Sequence, residues 1–294
     1  MSMTVVKALD SLLHSLELTE QERAEVARRA QSLSDQLRTQ KHAPQVTRHF
    51  TGGAFARETA IRPLHDISLF VVLEGPASAE APTMNPGACL EKLEFALSLA
   101  APDAPPPRRS GRAVNLRLRG VDLGFDVIPS FDAGGGAFWI PGRTLSDWLS
   151  YNPEAEREAS INAHEKAGAK LRPLIRAAKL WNRSVGLPIA PFHLEVLAKR
   201  AVPTPPLNFP DAFKKLFTRS IDLIMKPCPP LVGDGPEIDA GMTQEQRTRA
   251  QIALREGLRH VDQALQSERS FRVDDAHRAF RALFGEAYPE TGKR

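Results

Sequence analysis

The sequence predicts an α+β protein in which a sheet-bearing first half precedes a mostly helical second half. Three patterns carry that prediction. Ile67 to Leu73 is a short, β-rich apolar run, and Val114, Leu116 and Leu118 alternate with Asn115, Arg117 and Arg119. From Asn152 onward, apolar residues recur at helical spacing between proline-rich joints.

Taken in chain order, the first element is a long N-terminal helix. Thr19 and Glu22 form a capping-box pair that can satisfy the first free amides, and Val26, Ala30, Leu33 and Leu37 share one face behind it. Ile67 to Leu73, the alternating stretch from Val114 and a second strand-like stretch, Val121 to Ile128, are neighbouring strands of one sheet. Between them "APDAPPP", residues 101 to 107, cannot form regular structure and reads as a surface loop. Asn152 followed by Pro153 marks a helix start, and Gly168 with Pro173 predicts a kink or two consecutive helices. "VPTPP" and "KPCPPLVGDGP" separate further helices. A second capping box, Thr243 with Gln246, opens the last long helix, which carries Ile252, Leu254, Leu258, Val261 and Leu265. The expected division is a core of residues 1–150 and a helical lobe of residues 151–294.

Composition narrows the class. At 294 residues, 42% hydrophobic and 25% charged, the chain reads as a soluble globular protein with a sizeable core. Its longest apolar run, Leu69 to Leu73, is far short of the roughly 20 residues that cross a bilayer, and no secretory pattern opens the chain, so a cytoplasmic protein without a membrane partner is expected. Cys89 and Cys228 have no metal-ligand spacing and form no disulfide framework. A net charge of +4 suits polyanionic partners such as nucleotides without deciding for them.

The chemistry concentrates in "TGGAFARETAIRPLHDISLFVVLE", residues 51 to 74, and in "LGFDVIP", which holds Asp126. Asp66 and Ser68, two apart in a strand, point to one face about 6.6 Å apart. The string from Gly53 resembles the pattern Gly-Ser-Phe-Ala-Arg-Gly-Thr-Ala-Ile followed by Asp-Ile-Asp-Leu-Phe-Val-Val-Leu of the cGAS/DncV-like nucleotidyltransferases, the CD-NTases. "FDVIPSF", "WLSYNPEAERE", "KLRPLIRAAKLWNRSVGLPIAPFHLEVL" and "AHRAFRALFGEAYPE" extend the likeness over nearly the whole chain.

This resemblance implies a polymerase-β-like mixed sheet with helices, followed by a helical C-terminal lobe, with nucleotides in the cleft between them. The family joins nucleoside triphosphates into cyclic or linear oligonucleotides that switch on effector proteins during phage infection. Carried over residue by residue, Asp66 and Asp126 would hold Mg²⁺ or Mn²⁺, and Gly53 and Ala54 stand where a turn grips phosphate. Lys179 matches a triphosphate-facing lysine. Arg172 and Arg176 share its helix face at i, i+4 and i+7, an exposed basic stripe in either a phosphate-binding or a solvated role.

The departures from the pattern all count against ordinary two-metal chemistry. Ala54 lacks the phosphate-binding hydroxyl, Glu58 brings a negative side chain where a glycine is usual, and Ser68 replaces the second metal-binding aspartate. Glu74 is about 26 Å along the strand from Asp66 and Asp122 about 13 Å from Asp126, which leaves Glu58, on the preceding loop, as the one candidate for a stand-in carboxylate. Arg108, Arg109, Arg112, Arg117 and Arg119 lack interleaved aromatics, so they read as edge-strand arginines and argue against a nucleic-acid partner. His65 reads as a packing residue, and His193 and Glu195 as structural.

Three readings stay open. The first is an oligonucleotide synthase, and the second is a catalytically degenerate nucleotide-binding, scaffold or regulatory protein of the same fold. The third is a transferase acting on RNA or protein.

Overall fold

The structure of the chain is a computed structural model that describes residues 3–40, 45–75, 78, 80–120, 123–233 and 235–290. It divides into two compact units, Leu18–Glu158 and the combination of Met1–Glu17 with Ala159–Arg294. The expected division after residue 150 gives way to one after Glu158, and Met1–Glu17 groups with the later helices.

The reason lies in the opening segment, which forms two helices instead of one. α1 (Val5–Ser15) is capped by Thr4 and buries Val5, Ala8, Leu9, Leu12 and Leu13. Those side chains share a core with Trp181, Phe213 and Phe280. α2 (Glu20–Arg38) starts at the Thr19–Glu22 capping box and buries Val26, Ala30, Leu33 and Leu37 in a different core, that of the sheet.

The sheet unit contains β1 (Val46–Thr51), α3 (Gly53–Ala56), β2 (Asp66–Leu73), α4 (Pro86–Ala100), β3 (Arg108–Ser110), β4 (Ala113–Arg117), β5 (Gly124–Gly134), β6 (Ala137–Pro141) and β7 (Trp148–Tyr151). The strand order is β1-β2-β5-β4-β3, with β6 pairing β5 and β7. β2 and β5 run parallel and the other pairs antiparallel, so the sheet is mixed. Alternation sorts its faces. Ile67, Leu69, Val71, Val114, Leu116, Phe125 and Val127 pack with residues of α2 and α4 in one apolar core. On the opposite face Phe70 stacks between Phe50 and Tyr151, with centroids 4.9 and 5.3 Å away. β5 extends past the expected Ile128 to Gly134, while Val121 and Asp122, expected at the start of this strand, lie outside the described residues. The loop expected over residues 101–107 joins α4 to β3.

α5 (Pro153–Lys166) begins where Asn152 accepts a hydrogen bond from the Ala155 amide at 3.0 Å. Gly168 and Ala169, both at positive φ, end it, and α6 (Leu171–Ser184) follows as a separate helix. α7 (Pro191–Ala201), α8 (Phe209–Leu223), α9 (Gln244–Arg269), α10 (Val273–Phe284) and a 3-10 turn (Gly285–Ala287) complete the helical unit. α9 carries the Thr243–Gln246 capping box. Leu254 and Val261 are buried, whereas Ile252, expected on the same apolar face, is 63% exposed. Gly257 of α9 lies against the Phe217 ring, where a Cβ would sit 2.6 Å from a ring carbon. The buried His277 bonds Tyr288 Oη and the Met3 carbonyl, each at 2.8 Å, tying the first residues to the last helix.

Candidate active site

Strand register places six residues on one face of the sheet unit. In one row, Arg117 of β4, Gly124 of β5 and Asp66 of β2 are register partners; in the next row, Asn115, Asp126 and Ser68 are. Asn115 Nδ2 donates to Asp126 Oδ1 at 3.0 Å and reaches Asp66 Oδ1 at 3.4 Å. The Arg117 guanidinium lies 3.5 Å from the same Asp66 oxygen. The sheet therefore brings together Asp66, Ser68 and Asp126 as expected. It adds Asn115 and Arg117, which sequence reasoning had not assigned to the site.

The electrostatics follow from this crowding. Burial pushes the Asp126 carboxyl above the usual carboxylate range, and the neighbouring negative charge of Asp66 pushes the same way. The Asn115 hydrogen bond and the Arg117 charge oppose them.

Beside the polar rows, the turn expected to grip phosphate is present. The Gly52 amide donates to the Ser68 carbonyl at 2.9 Å, and Gly53 adopts φ +59° as α3 begins. A Cβ on Gly53 would sit 2.9 Å from Ser68 Oγ, so a side chain here would be strained by φ and would force Ser68 to shift. The Ala54 carbonyl accepts from the amides of Thr59 at 2.8 Å and Ala60 at 3.1 Å and from the Thr59 hydroxyl at 3.4 Å, closing the turn on itself. Arg57, which ends α3, is buried and donates to Glu156 Oε2 at 2.7 Å, and Tyr151 Oη donates to the same oxygen at 3.1 Å. Sequence reasoning missed this latch as well. Its one signal was an arginine directly behind the turn.

The donor set can be weighed against the metal that the fold's chemistry implies. Asp66 and Asp126 offer two carboxylates and Ser68 a neutral oxygen; Glu58 is exposed and does not complete a third. Among the described residues no three His, Cys, Asp or Glu side chains come together as a metal-holding group. Mg²⁺ is commonly held by one or two carboxylates together with substrate phosphates. The residues therefore fit one hard divalent cation and do not fit the shared bridge that two such ions need.

The α6 cations belong to the helical unit and differ from the exposed stripe expected of them. Arg172 is half-buried, whereas Arg176 and Lys179 are only 5% and 6% exposed. Lys179 Nζ lies 2.6 Å from Glu195 Oε1, and Arg176 lies 3.6 Å from Glu17. Both charges are buried because carboxylates of the same unit face them. Of the five arginines read as edge-strand residues, Arg108 and Arg109 do lie on the edge strand β3, and Arg109 pairs with Glu91 and Glu94. Arg117 does not, since β4 lies between β3 and β5.

This mixed sheet, carrying paired aspartates beside a glycine turn and followed by a helical unit, defines a nucleotidyltransferase fold. The chain belongs to the family of the Second Messenger Oligonucleotide or Dinucleotide Synthetase domain, whose model matches residues 3–163, and so to the CD-NTases. It is 28% identical over 162 residues to a cyclic AMP-AMP-AMP synthase of Acinetobacter sp., a match covering 52% of this chain and 44% of that protein. The chain spans about half the length of the curated relatives it matches. Its fold resembles that of Escherichia coli CdnC in complex with HORMA-deltaN, with TM-score 0.76, 16% identity and coverage of 97% of this chain and 98% of that one. Bradyrhizobium diazoefficiens CdnG in complex with GTP gives TM-score 0.74 at 15% identity, covering 95% of each chain.

Proposed function

We propose that this chain is a nucleotide-binding CD-NTase of bacterial antiphage nucleotide signalling in which two-metal nucleotidyl transfer is strongly impaired. One observation carries the reading. In the row Asn115, Asp126 and Ser68, a hydroxyl and an amide flank the one carboxylate, where bridging two ions would need a second carboxylate beside it. Loss of such a bridging ligand costs several kcal/mol of transition-state stabilisation, on the order of 10³-fold in rate.

The ligand in this reading is a nucleoside triphosphate. Gly53 and Ala54 would meet its phosphates through the turn, and Asp66 and Asp126 would hold one Mg²⁺ or Mn²⁺. When bound, that ion neutralises phosphate oxygens and acts as a Lewis acid towards them. The related CdnG structure holds GTP and the CdnC structure a HORMA protein, which supports a nucleotide ligand and a regulatory protein partner.

The test is incubation of the purified chain with ribonucleotides, and separately deoxyribonucleotides, in Mg²⁺ or Mn²⁺. The expected result is nucleotide binding with little or no oligonucleotide. Abundant product that vanishes in Asp66→Asn would overturn the impaired reading. Synthesis gained by the double change Ser68→Asp with Ala54→Ser would mark an old site that has decayed.

A further inference from the structure

The geometry points to Arg117 as a built-in counter-ion: it supplies from within the chain a positive charge that offsets part of the charge of the two carboxylates, so the acidic rows take at most one divalent cation. This deepens the proposed function and rests on its assignment of Asp66 and Asp126 as cation ligands.

Asp66 and Arg117 flank Gly124 in one row, two strand spacings or about 10 Å apart at the backbone. They meet above the glycine. A Cβ at position 124 would sit 3.0 Å from Asp66 Oδ1 and 3.2 Å from Arg117 Cδ, so the bare glycine leaves the channel through which the arginine reaches the carboxylate. The guanidinium then lies 3.5 Å from the oxygen that Asn115 Nδ2 also reaches.

Charge completes it. A guanidinium is cationic at every accessible pH, and here it faces the two carboxylates that would have to hold metal. A first divalent ion between Asp66 and Asp126 meets two negative charges and one positive. A second meets the same two carboxylates, already shared, together with Arg117 and the first ion. The neutral hydroxyl of Ser68 offers it no compensating charge. Arg117 and Ser68 thus act in the same direction: beside the two carboxylates stand a fixed cation and a neutral oxygen.

The pair is also displaceable. Arg117 and Asp66 side chains are 46% and 38% exposed, so solvent screens their attraction, and removing the guanidinium is expected to tighten divalent binding by roughly three- to fivefold.

Mn²⁺ titration followed by electron paramagnetic resonance, with no nucleotide present, tests this in the full chain. The wild type is expected to take no more than one Mn²⁺, Arg117→Gln to bind it several-fold more tightly, and Arg117→Lys, which keeps the charge, to behave as wild type. The double change Ser68→Asp with Arg117→Gln is expected to take a second ion. Thermal melts check that each variant is folded, and Arg117→Ala replaces the glutamine variant if that one is not. Two ions in the wild type, or an Mn²⁺ affinity unchanged or weakened without the guanidinium, would overturn the assignment, as would no Mn²⁺ binding in either form. Nucleotide affinity is measured separately, so failure of the ion count and failure of the nucleotide-binding reading can be told apart.

Discussion

Arg117 and Asp66 stand on strands that are not neighbours, yet their charges lie 3.5 Å apart because the residue between them in register is Gly124. A glycine inside a strand ordinarily weakens it, through backbone entropy and a missing side chain. Here its lack of a Cβ is what lets two rows of a sheet become a polar cluster.

Gly124→Ala tests that directly. The new methyl would also meet the Leu116 carbonyl at 3.2 Å, so the backbone cannot simply yield on one side. Overpacking of this kind costs about 1–3 kcal/mol. Denaturant unfolding is expected to show that loss, together with tighter Mn²⁺ binding as the arginine is pushed off Asp66. An alanine variant as stable as wild type would mean that the channel is wider than the contacts imply.

The buried pair Lys179–Glu195 gives a larger effect. Its side chains are 8% and 1% exposed, so Glu195→Gln removes the carboxylate charge facing a buried ammonium and is expected to cost about 3–5 kcal/mol. The double change Lys179→Met with Glu195→Leu should recover much of that loss in equilibrium unfolding. Equal destabilisation by the single and the double changes would count against the pairing.

Acid sensitivity follows from Asp239. Burial works against its charge, but the Cys228 amide, which donates at 2.8 Å, and the Arg247 guanidinium outweigh it and hold the carboxyl below the usual value of 3.8. A lowered folded value means stabilisation that is fully present above the unfolded value and lost as pH falls through the folded one. The stability gap between wild type and Asp239→Asn should therefore be wide at neutral pH and narrow below about pH 4. Chemical denaturation across pH 2 to 7 would measure it, and a gap independent of pH would refute it.

His277 is the fourth test. Its ring bridges Tyr288 Oη and the Met3 carbonyl, so His277→Phe removes two hydrogen bonds and leaves buried polar atoms without partners, a loss of about 1–3 kcal/mol. Tyr288→Phe removes one of them and should cost about 1 kcal/mol. Hydrogen exchange in α1 should rise in the first variant well before global unfolding.

Much of the fold was legible in the chain because its signals are local. Thr19 with Glu22 and Thr243 with Gln246 cap helices as their spacing implies, and the alternation around Leu116 correctly put Asn115 and Arg117 on a common face. Strand order was not local. That β4 sits beside β5, which in turn parallels β2, depends on contacts between distant segments, so the meeting of Arg117 with Asp66 could not be read from either residue's neighbours. The α6 cations were misread for the same reason. Helical spacing put them on one stripe, but the carboxylates that bury two of them come from Glu17 and from Glu195 in another helix. The turn of Gly53 and Ala54 and the pair Asp66 and Asp126 were legible through family resemblance, while the Arg57–Glu156 latch joins residues 99 apart.

The grouping of Met1–Glu17 with Ala159–Arg294 also dictates an order of events on the ribosome. α1 leaves the exit tunnel before the helices it packs against, and His277, which holds the Met3 carbonyl, is made 274 residues after Met3. At about 5–20 residues per second its apolar face, with Leu9 and Leu12, waits on the order of tens of seconds for its partners. Meanwhile Leu18–Glu158 can close its own core, so α1, made before that unit, finds its place after it.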